Sequence, residues 1–201
     1  MFSFSAVFFS SCLDDDDDEI IIDEEWKLKN EKEFDEKATS GEGYERWLSH
    51  AYGDLTDQYY ILHRPSSEIQ VPELDVRATI DGYPEFKDSV YCRYEGWYIT
   101  KENEKYIFDS TENPVYGSKR DPNKVSVGFL VSGQIEGFRT ALYNMKVGDE
   151  QEIVIPANLA YGSVARTESK NEENVVTHIP AYTTLYYRVK MLKIAPMKGK
   201  S

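Results

Sequence analysis

From residue 74 onward the chain alternates apolar and polar positions in short runs, the period-two signature of half-buried strands. The runs fall at 76–80, 89–99, 106–109, 125–131, 150–155 and 183–194. In the last of them Leu185, Tyr187, Val189 and Met191 share one face, and in the second Val90, Cys92 and Tyr94 do. One segment, 136–144, breaks the alternation and reads as a short helix. Strands grouped around a single short helix predict an α+β domain, a curved antiparallel β-sheet wrapped around one short α-helix.

The first third of the chain has a different texture. Residues 19–38 hold Glu, Lys, Trp26, Leu28, Phe34 and Ala38 without Gly or Pro, and predict a helix whose apolar stripe of Ile22, Trp26 and Phe34 is thin. The run Thr39-Ser40-Gly41-Glu42-Gly43 ends it. Residues 44–62 carry Tyr44, Trp47, Leu48, Tyr52, Tyr59 and Tyr60, too aromatic for a linker, and 59–64 reads as a strand docked on the main domain.

Charge divides the chain further. The formal net charge is −13, and residues 14–36 hold thirteen Asp and Glu against three Lys, so the remainder nets only −3. Phosphate recognition needs a basic surface, which argues against nucleic-acid binding. No stretch of eighteen apolar residues exists to cross a membrane as a helix. The two cysteines, Cys12 and Cys92, make no disulfide framework, and Cys92 reads as a buried apolar thiol. His50, His63 and His178 lack metal-ligand spacing, so no metal or other cofactor is expected. Five successive Asp at 14–18 also lack the alternating ligands and Gly turn of a calcium loop, and fit a solvated acidic spacer.

Residues 2–11 are apolar and small and end at Cys12. This resembles the end of a bacterial lipoprotein signal, and acidic residues directly after the Cys resemble the Bacteroidetes-type form. The resemblance implies lipidation of Cys12 and a membrane-anchored location in the bacterial cell envelope. The alternative is an apolar terminus with an ordinary Cys; the basic start of a signal peptide is missing.

A second resemblance covers about residues 74–194. Arg93-Tyr94-Glu95-Gly96, Phe108-Asp109-Ser110, Gln134-Ile135-Glu136-Gly137-Phe138, Ala160-Tyr161-Gly162 and Ile179-Pro180 occur in that order, followed by Tyr187. Together they resemble the FKBP-type peptidyl-prolyl cis/trans isomerases. The likeness implies an aromatic pocket for proline with Tyr94, Phe108, Asp109, Ile135, Phe138 and Tyr161 as its catalytic set. Gln134, Ile179, Tyr187 and Val127 would contact substrate. Phe138 stands where most relatives have Trp, Val125 and Val127 where many have Phe, and Tyr187 where Phe is usual. Each aromatic also has a plain reading as core, and Asp109 as a turn residue. The sixteen residues 163–178 between Gly162 and Ile179 are polar and form a longer flap than a minimal relative has, expected to be mobile.

The expected organisation is a signal-like segment at 1–12, an acidic spacer at 13–18, a helical and aromatic extension at 19–73 and an isomerase domain at 74–196. The expected activity is X-Pro rotation in exported, proline-containing polypeptides, by a monomer. Two alternatives stay open: an FKBP-fold module that binds a Pro-containing segment with weak turnover, and a glycan-binding surface built on Trp26, Trp47 and Trp97.

Overall fold

A computed structural model of the chain describes residues 22–52, 58–69, 82–111, 126–170 and 175–197. Its centre is the long strand β3 (Ser89–Ile99), flanked by β4 (Lys105–Ser110) and β5 (Val127–Leu130) and paired antiparallel with β9 (Leu185–Ala195). Beyond β9 come β6 (Glu150–Ile155), β2 (Tyr60–Pro65) and β1 (Glu45–Leu48), giving the order β1-β2-β6-β9-β3-β4 with β5 also on β3. Among the described residues every pairing in this seven-stranded sheet is antiparallel. A separate hairpin joins β7 (Arg166–Lys170) to β8 (Val175–Ile179).

The alternation read in the sequence sorts side chains onto the two faces. Val90, Cys92, Tyr94, Ile153, Ile155, Leu185, Val189 and Met191 are buried on the inner face with Phe138, Ala141 and Leu142 of helix α2 (Glu136–Tyr143). Helix and sheet approach closely because Gly137 has no side chain: a Cβ there would lie 2.2 Å from Cγ2 of Ile155. The buried Cys92 thiol is pushed up from its ordinary pKa by desolvation, the condition of an inert packing group.

Helix α1 (Glu24–Thr39) covers the other face. It starts where Asp23 accepts from the Trp26 N–H at 3.0 Å, so it begins later than the expected 19. Phe34 packs there with Leu62, Trp97, Val154 and Tyr186 in a second apolar cluster. The stripe is Trp26, Asn30 and Phe34, all buried, and exposed Ile22 is not in it. The described residues of 44–65 do dock, supplying two strands of the same sheet, so the described parts of 19–73 and 74–196 share one sheet. Trp26 and Trp97 are buried and Trp47 stacks on His63 at 3.6 Å, so the three tryptophans present no common glycan-binding platform.

The 163–178 flap carries the β7–β8 hairpin, whose second strand ends at Ile179. The expected strand at 76–80, Val125, Cys12, the 13–18 spacer and the 73/74 boundary lie outside the described residues.

Candidate functional site

A β-bulge sets the first wall of the site. Gly96 pairs with Asp109 and Trp97 with Ile107, so Phe108 is the extra residue on β4. Simple alternation would send Phe108 and Asp109 to opposite faces. The bulge turns both toward the inner face, where they meet Tyr94 of β3. The Tyr94 hydroxyl donates to Oδ2 of Asp109. Gly96, between them in the register, leaves room for two rings: a Cβ would come within 2.7 Å of the Tyr187 ring and 2.8 Å of the Phe108 ring.

The rings form a continuous chain of contacts. Phe108 meets Tyr187 at 5.5 Å and 83°, Tyr187 meets Phe138 at 4.9 Å, Phe138 meets Phe129 at 5.6 Å and 74°, and Phe129 meets Tyr94 at 5.1 Å. Edge-to-face pairs of this kind add about 0.5–1.5 kcal/mol each beyond area burial. They hold a preformed apolar bowl in which Phe138 is the floor. The bowl opens as a cavity of about 420 Å³, within the usual size of small-ligand sites.

The rim is polar. Gln134 and Ile135 sit on the short link between the 3-10 turn at Val131–Gly133 and α2. Ile135 is extended, with φ −55° and ψ 151°, and its N–H precedes the helix, among the groups that helix geometry leaves without an internal partner. Opposite lie Tyr161, Ile179 at the end of β8, and Arg166 at the start of β7 with its guanidinium 5.1 Å from the Tyr161 ring centroid. The Tyr187 hydroxyl is held protonated: burial raises its pKa well above the ordinary value, and Tyr161, Tyr94 and Asp109 add to the rise.

The structure therefore gathers Tyr94, Phe108, Asp109, Gln134, Ile135, Phe138, Tyr161, Ile179 and Tyr187 around one cavity. Val127 is the exception: it packs against the adjacent core and does not line the cavity. The wall there is supplied by Phe129, two residues further along the same face of β5. Alternation over 125–131 places Val127 and Phe129 on one face, and the Phe129 ring, 5.1 Å from that of Tyr94, is the one that reaches the pocket. Arg166 carried no recognisable signal in the polar flap. Cys12 lies outside the described residues.

The described lining of the bowl holds no Ser, Cys, Lys or His, and among the described residues no group of three His, Cys, Asp or Glu could hold a metal ion. What it offers is an apolar seat, oriented N–H and O–H donors and one carboxylate pinned at the edge.

A family profile described as FKBP-type peptidyl-prolyl cis-trans isomerase matches residues 81–192. FK506-binding protein 2B of Rhizopus delemar is 34% identical over 93 residues, 46% of this chain and 39% of that protein. FK506-binding protein 4 of Chaetomium thermophilum is 35% identical over 94 residues, 45% of this chain and 17% of that protein. The chain thus aligns with well under half the length of either. Among solved structures, FkpA from Escherichia coli superposes with a TM-score of 0.54 at 23% identity, over 86% of this chain and 62% of that one. A peptidyl-prolyl cis-trans isomerase from Pseudomonas syringae pv. tomato gives 0.51 at 23%, over 86% and 96%. At that identity the superpositions establish the shared fold, and the profile, matching more than half of the chain, establishes the kinship: the chain belongs to the FKBP-type peptidyl-prolyl cis-trans isomerase family.

Proposed function

We propose that this chain accelerates cis/trans rotation about X-Pro bonds in polypeptides. The observation that carries the reading is the aromatic bowl closed at its rim by donors and by the Tyr94-pinned carboxylate of Asp109. Rotation breaks amide resonance against a barrier of roughly 18–20 kcal/mol. The twisted amide is less polar than the planar one, so an apolar seat for the Pro ring favours it. Donors at Ile135 and Tyr161 hold the flanking carbonyls. The seat stabilises the transition state over the ground state, the donors hold the substrate in both, and neither needs a covalent intermediate.

The substrates we propose are exported polypeptides with accessible X-Pro bonds, met by a monomer tethered to a bacterial envelope membrane through a lipid on Cys12. The apolar, small residues before Cys12 and the acidic run after it support the tether, and the net charge of −13 argues against a nucleic-acid partner. Incorporation of a labelled fatty acid that Cys12→Ala abolishes is the test of the anchor; no incorporation removes it.

The activity is tested with the purified chain and a short X-Pro peptide, against an Asp109→Ala/Tyr161→Phe control. The expected result is a rate enhancement that falls in the control. Folded protein that binds the peptide without accelerating its isomerisation would instead make the fold a Pro-binding module. That second reading draws on the buried Tyr187 hydroxyl, which makes this seat more polar than an all-Phe one.

A further inference from the structure

The link between β8 and β9, residues 180–184, belongs to no ladder, yet Thr183 and Thr184 are buried. Its polar groups are satisfied by helix α1 on the far side. The Trp26 indole N–H donates to Oγ1 of Thr183 at 3.1 Å, and that hydroxyl donates onward to the carbonyl of Pro180 at 2.7 Å. Thr184 donates its N–H to Oδ1 of Asn30 at 2.7 Å and its hydroxyl to the Asn30 carbonyl at 3.1 Å. Asn30 is itself locked by its side-chain amide, which donates a hydrogen bond to the Trp26 carbonyl at 2.9 Å.

This clamp lies one residue from the site. Pro180, where the relay ends, follows Ile179 of the cavity wall. Tyr182, inside the clamped link, donates its N–H to the carbonyl of Gly162 at 2.7 Å, and Gly162 follows Tyr161. Tyr182 holds φ at +59°, a left-handed conformation that costs a non-glycine residue energy and persists only where surroundings enforce it. Lys27 of α1 stands 5.3 Å from its ring centroid, a further contact from the same helix.

We propose that α1 is a brace for the isomerase site. Trp26 and Asn30 act as positioning residues that, through Thr183, Thr184 and Tyr182, hold Ile179 and Tyr161 at the spacing a bound proline segment requires. The proposal rests on the isomerase reading and adds a part to its machinery that touches no substrate.

The test uses the full chain and three variants. Thr183→Val keeps shape and removes the relaying hydroxyl, Thr183→Ser restores it, and Trp26→Phe removes the donor while keeping a ring. Thermal unfolding and circular dichroism confirm that each is folded at the assay temperature. Amide hydrogen exchange at Tyr182 reads the clamp directly. Peptide KM and kcat read its effect on the site. Thr183→Val and Trp26→Phe should each speed exchange at Tyr182 and raise KM about fivefold with kcat little changed, because a displaced Tyr161 loses its hold on the substrate in ground and transition state alike. The pair combined should be no worse than either alone, and Thr183→Ser should behave as the parent.

Faster exchange with unchanged KM would overturn the proposal, as would unchanged exchange, or effects that multiply in the double variant. If the parent chain binds the peptide without turning it over, the isomerase reading fails separately, and the Kd of the same peptide takes the place of KM.

Discussion

The Tyr94 hydroxyl and the Asp109 carboxylate are hydrogen-bonded partners only because β4 carries one residue too many. Without the bulge at Phe108 the carboxylate would face the α1 side of the sheet. Tyr94→Phe keeps the ring contact with Phe129 and removes the pin. Asp109 keeps the bond its Oδ1 accepts from the Ser110 N–H at 3.0 Å, but its Oδ2 loses the Tyr94 hydroxyl that holds the carboxylate toward the rim. The expected loss in kcat/KM is about 1.5 kcal/mol, the lower bound for a hydrogen bond to a charged group, or a little over tenfold. Steady-state kinetics check it; full activity in Tyr94→Phe would show that the pin is not used.

Gly96→Ala tests the close approach of two rings. The added Cβ meets ring carbons of Tyr187 and Phe108 on the walls of the bowl, so both must move. Overpacking of this kind costs about 1–3 kcal/mol. Urea titration should show that loss, and catalysis should fall further than the folded fraction does, because the displaced rings are the pocket itself. A variant that unfolds at the parent's midpoint would mean the rings have slack to give.

Removing residues 1–73 should do more than trim an appendage. It deletes β1, β2 and α1, uncovers the edge of β6 and bares Trp97, Val154 and Tyr186 on the outer face. An exposed apolar edge strand is an aggregation template. The expected outcome is a 74–201 fragment without a cooperative unfolding transition, seen by circular dichroism and light scattering. A soluble fragment that turns over peptide would show that the sheet closes without its N-terminal strands.

His63 sets a pH dependence. It is buried against Trp47 and bonded to Gln151 at 3.2 Å, and desolvation lowers its pKa below the ordinary 6.5 despite that bond. The unfolded chain therefore binds this proton at a higher pH than the folded one. Stability is fully present above about 6.5 and declines as pH falls below it toward the folded value. His63→Gln should flatten the slope of unfolding free energy between about pH 7.5 and 5.5, above the main carboxylate range. An unaltered slope would assign it to other groups.

Much of this was legible in the chain because the residues concerned obey period two. Strands 89–99 and 150–155 announce themselves through Val90, Cys92 and Tyr94 and through Ile153 and Ile155, all buried as alternation requires. The hairpin at 166–179 does not, since charged and hydroxyl residues such as Arg166 and Thr167 give its first strand no apolar face to read. Asn30 escaped notice for the opposite reason. Composition places an amide at the surface, and only Thr184 on the partner segment, 154 positions away, explains its burial. The same limit hid the bulge: nothing local to Phe108 and Asp109 states that Gly96 will sit opposite them. Val127 and Phe129 share one strand face, so alternation does not choose between them, and only the longer Phe129 side chain lines the cavity.

The position of β9 bears on how the molecule comes into being. It is the last strand in the order of the chain, yet it lies between β6 and β3 in the sheet. A growing polypeptide can form β3 with β4 and β5, and β2 with β6, but among the described residues the two halves share no strand pairing until residues 185–195 appear. Tyr187 arrives on that same strand, so the bowl and the sheet are completed by one event. A nascent or prematurely terminated product would hold two open edges and half a pocket. This protein must wait for its own final strand before it could help any other chain to fold.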